Sequence, residues 1–512
     1  MHKLLFTKKF WIAVGFFIYL SLFFLRQTNL AASDLGRHVM NGQVIWQTGQ
    51  VFHTNLYSYT NPEFAAPNHH WLFGVISYLV HQAAGFEGLT IMGALLYVGA
   101  IAIVFWGTQK RAGFYATLTA TLLVLPLLAE RAETRPEAFS SFFFSILFVG
   151  FGLISQQKSL KYFWHMVISS TVIMALWINI HIFFVLAAVL GIALAIQVFA
   201  TKVTHYLKWL GGIAGGLVLG TLINPTGIQL VLYPLQIFGN YGYRVSENQP
   251  LWFFLRYFTR PIHWYIVVLI ALYCLTLLWL FKKRKKISWY YLITSIFFMA
   301  FTIKLIRMQN IFALTAIPLV SVGVDYFWQT YGKKIGSTTS IMVSSILGFG
   351  LLSVLIGTGL FFPFSHYVGI GLTPGYDKTL QFVRDNPIHG PIFNNFDAGS
   401  FLIYALYPKQ QVFMDNRAEA YPADFIQSQY LKAQEDESTW QELESTYNFS
   451  TIIFYRHEQT NWGQEFLVKR FTDPTWIPIY VDDYLIIFAK DMPVNQELIQ
   501  KYRLPDEMFS IN

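Results

Sequence analysis

The sequence is poor in cysteine and in charge. One cysteine, Cys274, stands in 512 residues, and it lies inside an apolar run. An intrachain disulfide is therefore excluded, and no Cys/His spacing of the zinc-binding kind occurs. Charged residues make up 12% of the chain, about half the usual share in a soluble protein. Carboxylates are scarcest. Residues 1–364 hold 8 of them against 25 lysines and arginines, whereas residues 365–512 hold 20 against 11. The basic excess sits in short loops between apolar runs, so it points to membrane orientation and not to nucleic acid. No internal repeat is evident.

Apolar residues make up 54% and aromatic residues 18%. Apolar runs of about 17–22 residues recur, long enough to cross a hydrocarbon core. The runs predict spans near 10–25, 88–106, 113–129, 137–155, 162–180, 181–200, 208–224, 262–281, 288–304, 309–327 and 340–361. The expected fold class is thus a polytopic α-helical membrane protein of about 11 transmembrane helices, followed by a C-terminal α/β domain. The expected domains are 1–364 in the membrane, with outer loops at 28–87 and 225–261, and 365–512 outside it.

Charge assigns the sides. Lys3, Lys8 and Lys9, Lys110-Arg111, Lys158, Lys161, Lys202, Lys208, the run from Lys282 to Lys286, Lys333 and Lys334 fall on one side. Asp34, Glu63, Glu87, Glu130, Glu133, Glu137 and Glu247 fall on the other. The positive-inside bias places the N-terminus in the cytoplasm and the C-terminal domain outside it. Ala31-Ala32-Ser33 resembles a cleavage site, but the apolar run before it is longer than a signal peptide needs, which favours an uncleaved anchor. Trp71–Ala84 is about 14 residues long. Counting it as a span would invert the charge pattern, so it reads as an interfacial or re-entrant helix, as does 34–48.

Beyond residue 365 the expected order is helix 376–385, strand 391–394, helix 398–407, strand 411–415, helices 423–432 and 438–445, and strands 451–455, 476–481 and 484–488. Such alternation suggests a small α/β domain.

Candidate chemistry lies in the outer loops. Asp34, Arg37 and His38 stand at i, i+3 and i+4, on one helical face. A carboxylate there can be merely solvated, or it can serve as a general base to an acceptor hydroxyl. Trp46, Tyr57 and Tyr59 offer aromatic surface for a sugar ring. His69 and His70 precede a helix and can bind headgroups or backbone. As metal ligands they need a third donor, for which Glu63 and Asp34 are candidates, but no spacing fixes a metal. Pro136 and Glu137 suit a helix N-terminus, while Arg135, and with it Arg131, suits a phosphate. Lys304 and Arg307 are either snorkelling anchors or cations offsetting a leaving phosphate. Asn179 and His181, in a tight outer turn, join the binding candidates, since polar groups at membrane depth are functional by default. Asp397 reads as an N-cap, and Asp415-Asn416-Arg417 as the end of a strand, both structural.

These residues form an ordered set: Asp34, His38 and Gly42; Tyr57-Ser-Tyr-Thr60; Trp71-Leu72; Arg135-Pro136; Trp177-x-Asn179-x-His181; Asn224-Pro-x-Gly227; Arg307-x-x-Asn310; Phe393-Asn-Asn-Phe-Asp397-x-Gly399; and Val412-Phe-Met-Asp415-x-Arg417. The set resembles bacterial multi-pass proteins of the GT-C glycosyltransferase type, over nearly the whole chain. The wider group includes protein O-mannosyltransferases and lipid A aminoarabinose transferases. The resemblance implies a polyprenyl-phosphate-linked sugar as donor, an envelope glycan or lipid as acceptor, a bacterial cell membrane location, inversion at the sugar, and Asp34 as the base. Many such enzymes carry an Asp-Glu pair at this point, where this chain has Asp34-Leu35. No cofactor is implied with certainty, and a divalent metal is left open. Two other readings share the features: a polymerase or ligase of lipid-linked oligosaccharides, and a non-catalytic envelope glycan-binding protein. A transporter fits less well, because the polar groups sit at span ends and not at mid-span.

Overall fold

The computed structural model describes residues 8–155, 161–201, 206–236, 239–285, 287–331 and 368–509. The span expected at 340–361 lies outside these residues, as do Lys3, Lys158, Lys202, Lys286, Lys333 and Lys334. The chain divides into two compact units. The first comprises residues 1–27, 89–231 and 245–370, and the second residues 28–88, 232–244 and 371–512.

The first unit is helical. Six described helices are long and apolar enough to cross a membrane, and three apolar helices of 16, 15 and 16 residues (Phe114–Ala129, Leu207–Thr221 and Trp289–Lys304) accompany them. One of the six, Trp71–Ala112, passes from the second unit into the first, and its helical geometry breaks at Ala84 and Gly85, where Gly85 has φ 61°. The break falls where the sequence predicts the surface helix to end and the span to begin. Helices Phe163–Ile180 and Tyr206–Thr221 pack together. Gly216 and Gly220 make this approach close, since a Cβ on them would lie 2.8 and 2.5 Å from the carbonyl oxygens of Val167 and Thr171. Within lipid, small residues at such spacing bring helix backbones into van der Waals contact.

The second unit is built from three separated segments around a mixed four-stranded sheet. Strands β1 (Ile392–Asn394), β2 (Thr451–Tyr455), β3 (Trp476–Val481) and β4 (Leu485–Lys490) lie in the order β1-β2-β4-β3. Strand β1 is parallel to β2, and the other pairings are antiparallel. All five residues of β2 are buried, as expected of a strand covered on both faces. The core is aromatic: Phe393, Phe413, Trp440, Phe449, Phe454, Phe466 and Phe488 pack in one cluster.

The strand expected at 411–415 does not form. Only Val412 makes a bridge there, with Ser58. The ladder next to β1 is replaced by a side chain. Asn394 donates from Nδ2 to the Met414 carbonyl at 2.7 Å and accepts the Phe413 amide at Oδ1 at 3.0 Å. Other backbone groups of 412–413 are met by the first loop. The Val412 amide donates to the Tyr57 carbonyl at 3.0 Å, and Ser58 Oγ donates to the Phe413 carbonyl at 2.8 Å. Segment 28–88 is thus built into this unit. Its helix Leu35–Thr48 packs on helix Gly399–Leu406 and ends at Gly49, whose φ of 69° gives the left-handed cap.

Candidate functional site

Two groups of sequence-predicted residues stand out, one in each unit.

In the second unit, Asp34 precedes helix Leu35–Thr48 and makes no capping bond to its first amides. Its Oδ1 accepts a short hydrogen bond from Asn416 Nδ2. Arg37, one turn on, donates from Nε to Asn416 Oδ1 at 3.3 Å, and its backbone amide donates to Ser400 Oγ at 3.1 Å. His38 faces elsewhere, edge-on to the rings of His70 and Phe73. His70 lies 3.9 Å from the His69 ring, which also packs on Tyr233. The structure thus brings His38, His69 and His70 into one ring cluster, while Asp34 and Arg37 share Asn416. Among the described residues, no three His, Cys, Asp or Glu side chains form a group able to hold a metal ion.

Beside Asn416, Asp415 and Arg417 form a buried ion pair. Arg417 Nε and Nη2 donate to the two carboxylate oxygens at 2.8 and 2.6 Å, and Nη2 also reaches Asn55 Oδ1 at 2.8 Å. Burial works against the Asp415 charge, but the Arg417 guanidinium holds its carboxyl below the usual carboxylate range. Asp397 behaves oppositely. Burial, with Glu458 and Asp34 adding like charge, pushes its carboxyl up to about 7. Asp397 is not the N-cap that its position suggests. Ala398 holds that place, and its amide donates to Asn395 Oδ1 at 3.3 Å. Tyr57 offers no stacking face. It is wholly buried, and its hydroxyl donates to Asn41 Oδ1 at 2.7 Å. Tyr59 packs against the aromatic core, with its hydroxyl on the Ile392 carbonyl. Trp46 is the exposed one of the three.

In the first unit, residues at the ends of several helices gather around a cavity of about 210 Å³. Its charged lining is Glu130, Arg131, Glu133, Arg135, Glu137, Glu247 and Arg260. Arg135 pairs with Glu133 at 2.7 Å and Glu247 at 2.6 Å, and Arg131 meets Glu247 at 2.9 Å. Arg307 adjoins this lining, pairing with Glu137 at 2.7 Å and donating to Asn248 Oδ1 at 3.1 Å. Arg260 pairs with Glu130. Burial would raise the Glu247 carboxyl, yet Arg131 and Arg135 hold it well below the usual range. Four arginines and four glutamates are thus balanced against one another. Arg135 and Arg307 belong to this cluster as the sequence suggests, whereas Lys304 ends helix Trp289–Lys304 exposed and outside the lining.

His181 is buried, with Nδ1 2.7 Å from Ser140 Oγ, and Trp177 Nε1 donates to the same hydroxyl at 2.8 Å. Asn179 donates to the carbonyls of Ala175 and Ile223 at 2.6 and 2.7 Å. That arrangement ties the end of one helix to the second residue beyond another.

Two residues carry more of the site than their place in the sequence suggests. Asn416 occupies the unspecified position of the motif Asp415-x-Arg417, so its flanking residues were a signal. Glu247 is the sole carboxylate between Glu137 and Asp325, and that isolation marks it.

No family model matches the chain, and no curated protein matches it by sequence. Solved structures do match in fold. The oligosaccharyltransferase AglB of Archaeoglobus fulgidus, in complex with an inhibitory peptide and a dolichol-phosphate, superposes with a TM-score of 0.56 at 13% identity, covering 96% of this chain and 76% of its own. ArnT of Cupriavidus metallidurans in the apo state gives 0.56 at 14% identity, covering 93% and 96%. ArnT bound to undecaprenyl phosphate gives 0.55 at 13%, covering 94% and 98%. The apolar helices mark a membrane protein, and the likenesses show that it shares the fold of the AglB and ArnT structures.

Proposed function

We infer that the chain is a membrane glycosyltransferase. It takes a sugar from a polyprenyl-phosphate carrier and passes it, with inversion, to an envelope glycan or lipid. The observation that carries the reading is the fold, shared over nearly the full length of both ArnT chains, one of which is bound to undecaprenyl phosphate. Asp34 is the general base. It takes the proton of the acceptor hydroxyl as that oxygen attacks the anomeric carbon. The bond from that carbon to the phosphate oxygen breaks, and the polyprenyl phosphate leaves with the electron pair. Arg135, with Arg307 or His181, offsets its charge. The glutamates keep the arginine cluster neutral at rest, so an incoming phosphate competes with Glu247, which Arg131 and Arg135 both hold. Glu247 sits in a three-residue turn, Ser246–Asn248. Arg37, His38, His69, His70, Asn179 and Lys304 are the remaining substrate-binding candidates.

The motif set that resembles bacterial multi-pass proteins supports a bacterial cell membrane location, and the charge bias of the loops supports a cytoplasmic N-terminus and an extracytoplasmic C-terminal domain. The test is transfer from a panel of undecaprenyl-phosphate-linked hexoses in membranes containing the wild-type chain or Asp34→Asn. Removal of a general base is expected to lower the rate by about 10²–10⁴-fold. Unchanged transfer by the variant would falsify the assignment of Asp34.

A further inference from the structure

We propose that Asn416, held by Arg37, is the positioning residue of the Asp34 carboxylate, so that the C-terminal segment supplies part of the machinery around the base. The proposal rests on the reading of Asp34 as general base. An amide side chain donates at one edge and accepts at the other. Asn416 uses both edges here, accepting from Arg37 Nε at 3.3 Å and donating from Nδ2 to Asp34 Oδ1. The guanidinium polarises the amide toward the carboxylate, and hydrogen bonds in series strengthen one another.

Asn416 is fixed on both sides. Asp415 is wholly buried and accepts the Arg417 amide at 3.0 Å as well as two guanidinium bonds, and the Asp415 amide donates to Tyr421 Oη at 2.8 Å. Arg417 is anchored again on Asn55. This ion pair brackets residue 416 and pre-sets its backbone, which is what a donor aimed at a reacting group requires. The other end of the chain of contacts is equally tied. The Arg37 amide is held by Ser400 Oγ, and a Cβ on Gly36 would lie 3.0 Å from the Ser400 carbonyl oxygen.

A donor on a carboxylate favours its charged form, and a like charge nearby opposes it. Arg37 and His38 stand on the helix that Asp34 begins, and Asp397 lies ahead of helix Gly399–Leu406 with Glu458 beside it. Asn416, backed by Arg37, thus presents a donor to the Asp34 carboxylate on a side where Asp397 offers none, and holds it aimed.

The test reads Asp34 itself. The full chain in lipid nanodiscs is labelled with a water-soluble carbodiimide and glycine ethyl ester from about pH 3 to 8, and modification of Asp34 is quantified by mass spectrometry. In Asn416→Ala the titration midpoint of Asp34 should rise by about one to two pH units, a ten- to hundred-fold change in its protonation ratio. In the isosteric Asn416→Asp it should rise further, because a second carboxylate replaces the donor. A purely structural Asn416 would lower the melting temperature and leave the midpoint in place. Midpoints unchanged in both variants overturn the proposal. Transfer by Asp34→Asn is measured separately. Retained transfer with a shifted midpoint refutes the base and leaves the positioning contact standing, whereas lost transfer with an unmoved midpoint refutes the positioning alone.

Discussion

Asp397→Asn should stabilise the chain at alkaline pH and do little in acid. The Asp397 carboxyl is half-buried, with Glu458 and Asp34 near it, and it is pushed up to about 7. In the unfolded chain it titrates near about 3.9. The folded form therefore keeps a proton, between about pH 4 and 7, that the unfolded form has shed. Stability from this residue is fully present below about pH 4 and is lost as pH rises through 7. The difference of about 3 pH units corresponds to at most about 4 kcal/mol, at 1.36 kcal/mol per unit. Asparagine has no charge to bury and escapes the loss. Pulse proteolysis in urea of the nanodisc-embedded chain, following fragments from residues 371–509, gives the stability of this region at each pH. The variant should exceed the wild type at pH 8 by up to about 4 kcal/mol and differ little at pH 3.5. An equal difference at both pH values, or destabilisation at pH 8, refutes the reasoning.

Arg417→Met should destabilise the same region by about 3–5 kcal/mol, because it strands the Asp415 carboxylate without its cation. The double variant Asp415→Asn with Arg417→Met should recover much of that loss, and strictly additive losses in the same proteolysis assay would refute the coupling. Gly42→Ala would place a Cβ 2.0 Å from the Gly74 carbonyl oxygen. Backbone cannot turn aside as a side chain can, so a cost of about 1–3 kcal/mol or more is expected, and an unchanged melting temperature would count against the close helix crossing.

Much of the candidate site could be named from the sequence, but its partners could not. Arg135 and Arg307 were legible as cations at the ends of apolar runs, because span limits and charge are local properties. Their pairing with Glu133, Glu247 and Glu137 was not, since Arg307 and Glu137 are 170 residues apart. Asp34 was legible as the first carboxylate after a span. Its neighbour Asn416, 382 residues away, was not. The segment 411–415 has the composition of a strand, yet the Asn394 side chain and the first loop take its hydrogen bonds. Tyr57 and Tyr59 have the composition of a binding surface, yet they fill a core.

The sequence by itself determined the multi-pass architecture and the strand-and-helix character of the C-terminal region. Hydropathy over about 20 residues and charge in the intervening loops act locally and are readable in order. Tertiary structure alone decided that segments 28–88 and 232–244 fold with 371–512, and which side chain Asp34 meets. Those outcomes depend on contacts between residues hundreds of positions apart. Apolar burial drives the segments together without directing them, and the need to pair each buried polar group selects the arrangement that forms.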